Sequence, residues 1–319
     1  MTVLRTRLEA EAQRLGFLAC GVAPLGPNPY GEALEAWLKA GYGGTMTWLG
    51  RQKKKRKDTR LADAAAKVAV VLLDRYHDGV TDPSAAGPPH RPRIARYARG
   101  RDYHEVVGRR LESLAGFLRS SGAGHTRCYV DTGPVPEREL ARRAGLGWIG
   151  KNTMLIRPGV GSWFFIAVIL TDLDLAPGQE FTADHCGSCT RCLDACPTGA
   201  FVADRVLDAT KCLSYQTIEW KKEISGELAA RAEGWAFGCD ICNEVCPWNA
   251  RFAEGPVDPE LRDHGWIPAD AGPRFFEEMS DAEFDRRFGP TPLHRTGLTL
   301  MRRNWAMAWA SLGGRAGGV

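Results

Sequence analysis

The sequence predicts an α/β core, then a compact cysteine-bearing module, then a short helical C-terminal region. Three observations carry that reading. Apolar runs of strand length alternate with amphipathic helical stretches over residues 1–175. Eight of the ten cysteines then crowd between Cys186 and Cys246, within residues 176–250. From 251 to 319, Pro256, Pro259, Pro268, Pro273, Pro290 and Pro292 break any regular pattern until a final helical stretch.

In chain order, Leu4, Leu8, Ala12 and Leu15 recur at helical spacing, so the chain opens with an amphipathic helix ending at Gly16. Phe17 to Val22 reads as a short strand, and Gly31 to Ala40 as a helix closed by Gly41. The β-branched run Lys67 to Leu73 has the character of a strand buried on both faces. Asp78 to Arg93, rich in proline, glycine and alanine, reads as a loop. Tyr103 to Ser120 is a helix whose apolar stripe is Val106, Val107, Leu111, Leu114, Phe117 and Leu118. Thr126 to Val130 is a strand, Pro136 to Ala144 a helix stopped by Gly145, Trp163 to Leu170 a further strand, and Leu298 to Leu312 the last helix.

A hydrophobic content of 44% with 25% charged residues is that of a soluble globular protein. The longest apolar run, Trp163 to Leu170, is far too short to span a bilayer, so no membrane partner is expected. The start, Met1 to Gln13, is charged rather than apolar, which argues for a reducing cytoplasmic setting and against disulfides. A net charge of +4 does not by itself imply nucleic acid. The run Arg51 to Lys57 is more pointed, with six cations in seven residues, and fits either a solvated loop or an anion contact.

The cysteines form two sets that complete each other. The first reads Cys186-Gly-Ser-Cys189-Thr-Arg-Cys192-Leu-Asp-Ala-Cys196-Pro197; the second is Cys212, then Cys239-Asp-Ile-Cys242-Asn-Glu-Val-Cys246-Pro247. In the bacterial C-x2-C-x2-C-x3-C-P run the fourth cysteine ligates the other cluster. That rule assigns Cys186, Cys189, Cys192 and Cys246 to one [4Fe–4S] cluster, and Cys212, Cys239, Cys242 and Cys196 to the other. Structural zinc uses four-ligand sets and has no use for a third cysteine in the tight run or for two Cys-Pro steps. Cys20 and Cys128, in apolar stretches, read as core residues.

Clusters pass electrons but rarely define a substrate, so the α/β core should hold the electron acceptor. Asp131 directly follows the strand ending at Val130, where ligands gather in α/β sheets. It reads either as a turn-capping carboxylate or as a general acid, the second requiring a pKa raised by burial. Gly145-Leu-Gly-Trp-Ile-Gly150-Lys151-Asn152 is a glycine-rich turn without P-loop or G-x-G-x-x-G spacing; it is either a plain turn or a place of close backbone approach to a ligand. Asp102-Tyr-His104 with Gly108 approximates the Asp-x-His-x-x-Gly cobalt-binding pattern. Its glycine falls one residue late and the segment enters a helix, so we read it as a decoy.

Taken together, Arg99-Gly-Arg-Asp-Tyr-His104, Val130 to Arg138, Arg143 to Asn152, Cys196-Pro-Thr-Gly-Ala200, Lys211-Cys-Leu-Ser214 and Gly238-Cys-Asp-Ile-Cys242 resemble the epoxyqueuosine reductases, co-linearly to about residue 310. The resemblance implies a cobalamin-binding α/β core related to reductive dehalogenases, joined to a ferredoxin-like module with two [4Fe–4S] clusters. It also implies reduction of epoxyqueuosine in a tRNA anticodon loop, fed by an external low-potential electron donor, in a monomer. Asp131 would protonate the epoxide oxygen. Arg56, Ala95, Asp131, Asn152, Leu155, Ile166, Ser214, Cys239 and Asp240 would meet cobalamin, and Lys53, Lys54, Lys55 and Lys221 would be candidates for tRNA contacts. Family members commonly continue into HEAT-like repeats, and Arg302 to Ala308 resembles the first helix of such a region, so a smaller RNA-binding surface is expected. Two other readings stand beside this one: an electron-transfer protein, and a corrinoid reductase acting on a small molecule.

Overall fold

The structure, a computed structural model, describes residues 2–77, 79 and 91–313. The expected loop at 78–93 therefore lies largely outside the described residues. Ten strands occur along the described chain: β1 (Ala19–Pro24), β2 (Val68–Arg75), β3 (Arg93–Ile94), β4 (Thr126–Val130), β5 (Trp148–Ile149), β6 (Leu155–Ile156), β7 (Phe164–Thr171), β8 (Phe201–Ala203), β9 (Val206–Leu207) and β10 (Trp235–Phe237).

The central sheet has the order β1-β2-β7-β4, and every neighbouring pair is antiparallel. Helix–strand alternation in the sequence points toward crossover connections, but no two neighbours in this sheet run parallel. The sheet is nevertheless covered on both faces, which is why β2 reads as an unbroken apolar run. Its residues alternate with period two: Val68, Val70 and Leu72 enter one core, Ala69, Val71 and Leu73 the other. The first core receives Leu8 and Ala12 from the helix Thr2–Arg14 and Val107, Leu111, Leu114 and Leu118 from the helix Tyr103–Ser120. The second receives Leu140 and Ala141 from the helix Glu137–Arg143.

The basic run is not a loop. It forms two short helices, Thr47–Arg51 and Lys53–Lys57. The proline-rich region is also more ordered than its composition suggests. A helix at Asp281–Phe288 is capped by Ser280, whose hydroxyl accepts the Glu283 N–H. With the final helix, Leu298–Gly313, it builds a third core from Phe276, Phe284, Phe288, Met301 and Trp305 against Ile94, Ala236 and Phe237. That core sits on the pair β3–β10, a parallel pairing that joins residue 93 to residue 235 and stitches the cysteine module to the N-terminal half. No helix among the described residues is long and apolar enough to cross a membrane.

Candidate active site

All eight clustered cysteines are free thiols, and the structure sorts them by surroundings. Cys186, Cys189, Cys192 and Cys246 line one cavity of about 150 Å3, with Lys151, Asn152 and Trp248. Burial, then the thiols of Cys186, Cys246 and Cys189, push the Cys192 thiol up to about 11. The neighbours of this set, Asp184, His185, Gly187, Ser188, Thr190 and Arg191, are exposed. Cys212, Cys239 and Cys242 lie deeper. Burial raises all three thiols, and Cys196 is a charge neighbour of Cys212 and Cys242. Here the flanking residues Leu213, Gly238, Asp240, Ile241 and Asn243 are buried.

Short helices aim backbone N–H groups at these sulfurs. Cys212 receives those of Tyr215 and Ser214, Cys239 that of Ile241, and Cys246 those of Trp248 and Asn249. Ala200 N–H reaches the Cys196 sulfur at 3.3 Å, and Trp148 Nε1 reaches Cys186 Sγ at 3.5 Å. Such donors favour the thiolate, the form that binds iron. Among the described residues no three His, Cys, Asp or Glu side chains close on a single metal ion.

The sequence places Asp131 at a strand end, and the structure puts it in a strained turn there, with φ of 54°. Tyr103 Oη donates to Asp131 Oδ2 at 2.6 Å, and Asp131 N–H donates to Glu137 Oε1 at 2.9 Å. Tyr103 is itself fixed by a parallel stack on Phe165, with ring centroids 4.1 Å apart. One expectation needs correcting. The burial expected of a general acid at this turn is not found at Asp131, which is exposed. The raised carboxyl is that of Glu137, pushed up to about 8 by burial and then by the Asp131 charge.

Two half-buried phenols neighbour both the turn and the deep thiols. Burial raises Tyr97 first, and the charges of Asp131 and Asp240 raise it further. Tyr76 is raised by burial, then by Asp240, Tyr97 and Cys242. Asp240 itself, 3% exposed, is raised to about 6 by burial and held by the Arg96 N–H at 2.7 Å. Asp131, Tyr97, Tyr76, Asp240 and Cys242 thus form one electrostatic neighbourhood. Sequence reasoning missed Tyr76, Tyr97, Tyr103 and Glu137. The Tyr103 signal lay inside the segment set aside as a decoy.

The other candidates distribute around this neighbourhood. Arg56 donates to the carbonyls of Gly133 and Val135, beside Asp131. Ile166 is on β7, one residue beyond the Val130–Ala167 pair, and Leu155 on β6 packs into the same core. Ala95 follows β3, its N–H bonded to Phe237, and precedes the Arg96 that holds Asp240. Asn152, 2% exposed, reaches the Cys242 carbonyl and Asn243 at 3.4 Å, which ties the glycine-rich turn to the second cysteine arm. Lys53, Lys54 and Lys221 are exposed and Lys55 partly so; Lys53 pairs with Glu35 at 3.5 Å, and Lys221 bonds the Ile218 carbonyl.

Comparison with known proteins bears on these features. Epoxyqueuosine reductases of Cellulophaga algicola and Synechocystis sp. are 38% and 39% identical to this chain, covering 93% and 89% of it and 95% and 98% of their own lengths. The chain belongs to the epoxyqueuosine reductase family. Residues 56–132 match the family model described as "Epoxyqueuosine reductase QueG, DUF1730", and residues 185–249 match that of a 4Fe-4S double cluster binding domain. The family's solved folds agree. A selenomethionine-labelled epoxyqueuosine reductase superposes with a TM-score of 0.88 at 28% identity, over 98% of this chain and 82% of that one. The Bacillus subtilis enzyme, in a structure with its aspartate catalytic loop swung out of the active site, gives 0.86 at the same identity and coverage. A catabolic reductive dehalogenase reaches only 0.46 at 18% identity.

Proposed function

We propose that the chain reduces epoxyqueuosine to queuosine in the anticodon loop of a tRNA, drawing on two [4Fe–4S] clusters and cobalamin, with Asp131 as proton donor. The observation that carries this is the chain of contacts from the acid to the second cysteine arm. Tyr103, hydrogen-bonded to Asp131 at 2.6 Å, has its ring 6.1 Å from Tyr97, and Tyr97 lies 6.2 Å from Phe237, which precedes Gly238 and Cys239. The net change removes the epoxide oxygen as water, takes up two electrons and two protons, and leaves an alkene. When bound, the clusters supply low-potential single electrons and the corrinoid supplies a nucleophilic cobalt.

The chain's own residues have definable parts in this reaction. Cys186, Cys189, Cys192 and Cys246 would hold one cluster, and Cys196, Cys212, Cys239 and Cys242 the other. The N–H groups aimed at their sulfurs offset thiolate charge in a site that otherwise disfavours it. Arg56, Ala95, Asn152, Leu155, Ile166, Ser214, Cys239 and Asp240 are the candidates to hold cobalamin. Two features support that fit: the buried Asp240 carboxyl, and Arg56 Nε, which is buried without a hydrogen-bond partner among the described residues.

Tyr103 presents its hydroxyl to Asp131 and orients the carboxyl, so a protonated Asp131 is poised to give its proton to an oxygen leaving carbon. The aspartate loop of the Bacillus subtilis relative supports a catalytic part for the Asp131 turn. A relative solved with an epoxyqueuosine-modified tRNA-Tyr stem loop, TM-score 0.84, supports RNA as the substrate. Lys53, Lys54, Lys55 and Lys221 are then candidates for phosphate contacts, and the exposed surroundings of Cys189 suit an external one-electron donor. Both cysteine sets and the acid come from a single chain, in keeping with a monomeric catalyst.

The test is nucleoside analysis of epoxyqueuosine-bearing tRNA after anaerobic incubation with cobalamin and a strong reductant. Asp131→Asn should retain iron and cobalamin yet lose about 10²–10⁴ in rate, the contribution of a placed general acid. Full activity in that variant removes Asp131 from the chemistry.

A further inference from the structure

We propose that Glu137 and Arg56 form a latch that fixes the Asp131 turn in its working position, which makes Glu137 a positioning residue for the reaction. The proposal rests on the reading of Asp131 as proton donor. It begins with the chemistry of the segment Asp131-Thr-Gly-Pro-Val-Pro-Glu137. Pro134 and Pro136 carry no N–H, and the segment lies outside every strand, so side chains must set its shape.

Two side chains do so, from opposite directions. Glu137 Oε1 takes the Asp131 N–H at 2.9 Å, closing the segment on itself from end to end. Arg56 Nη2 donates to the Gly133 carbonyl at 3.0 Å and Nη1 to the Val135 carbonyl at 3.3 Å, filling the middle. Both anchors stand on helices. Glu137 opens the helix Glu137–Arg143, where Glu139 bonds Arg142 and Arg143. Arg56 lies in the helix Lys53–Lys57, with its guanidinium 5.4 Å from the Trp48 ring.

The segment also has little slack. Gly133 lies so close to Tyr129 that a Cβ there would fall 2.2 Å from the ring, and Asp131 holds a left-handed backbone that an aspartate keeps only when its surroundings impose it. With Tyr103 on Oδ2, the acid is held at its backbone and at its carboxyl. The charges facing Glu137 are Asp131, Arg138 and Arg56; burial, then the Asp131 charge, push its carboxyl up to about 8 against the opposing pull of the two arginines. At neutral pH it is therefore largely protonated, and glutamine is its close mimic.

The test uses anaerobic holoprotein carrying both clusters, with cobalamin and a saturating epoxyqueuosine-bearing stem loop. Glu137→Ala should lower kcat about 100-fold, the effect of misplacing a catalytic group by about 1 Å, with iron content and stem-loop Kd unchanged. Glu137→Gln should restore most of the lost rate. A Glu137→Ala protein with full kcat overturns the latch, as does one whose iron content and affinity fall in step with its rate. A Glu137→Gln protein as slow as Glu137→Ala overturns it too. Asp131→Asn run in parallel separates the two ideas. If it is inactive while Glu137→Ala is fully active, only the latch is lost; if it is active, the acid and the latch fall together.

Discussion

The two cysteine sets carry the same ligand chemistry in opposite surroundings. Around Cys186 and Cys189 the flanking residues face water, and Trp148 is the side-chain donor to sulfur. Around Cys239 and Cys242 the flanking residues are buried, the thiols are raised chiefly by burial, and charged Asp240 lies between them. A spacing shared by both arms, C-x2-C-x3-C-P, has thus been given an outer and an inner form by what packs on it. Outer placement suits receipt of electrons from another molecule. Inner placement, with Tyr76 and Tyr97 on the side toward Asp131, suits their delivery.

The largest expected effect breaks that contrast directly. Cys242→Ser, in the inner set, should abolish epoxyqueuosine reduction with any reductant and lower iron well below the roughly eight atoms two cubanes require. Cys189→Ser, in the outer set, should lose turnover with a protein electron donor but retain part of it with a small strong reductant. Equal residual rates for the two variants under both reductants would erase the distinction between entry and exit.

A smaller effect concerns the acid side. Glu137 and Asp74, raised to about 8 and about 7 chiefly by burial, bind protons in the folded chain that they release when it unfolds. Stability should therefore fall as pH rises from about 5 to 8, because the unfolded chain binds fewer protons over that interval. Glu137→Gln should reduce that fall by about 2–4 kcal/mol, read from anaerobic melts at pH 5.5 and 8. An unchanged pH dependence would show that Glu137 is ionised in the folded protein.

The smallest effect tunes the outer set alone. Trp148→Phe keeps a ring among Phe181, His185 and Trp248 but loses the N–H to Cys186. A neutral hydrogen bond of about 1 kcal/mol corresponds to ~40 mV for one electron, so the outer cluster's potential should fall by that order. Redox titration followed by electron paramagnetic resonance reads it, and no shift would mean that the contact does not reach the cluster.

These comparisons also show what kinds of information a sequence carries openly. The cysteine arms were legible because ligation fixes spacing, and the strand after Lys67 because burial on both faces leaves Val68 to Leu73 without a polar residue. The strand order was not, since β2 reads alike whether its neighbours run parallel or antiparallel once both faces are covered. The helix Asp281–Phe288 announced itself through Ser280 and Glu283, a capping pattern overshadowed by the surrounding prolines. Tyr76, Tyr97 and Tyr103 have no common spacing, because they reach one place from a strand end, a short 3-10 turn and a helix start. Glu137 falls inside the stretch Val130 to Arg138 with nothing in the sequence to single it out, since only the fold reveals that its carboxyl, and not that of Asp131, is the sheltered one.

The crossed assignment of Cys196 and Cys246 has a consequence for biosynthesis. Cys186, Cys189 and Cys192 leave the ribosome together, but their proposed fourth partner follows 54 residues later, roughly 3–11 s at ordinary elongation rates. Cys196 waits in the same way for Cys212, Cys239 and Cys242. On that assignment neither cubane can be completed before the second arm has been made, so iron delivery follows synthesis of Cys246, after the antiparallel sheet has had time to form.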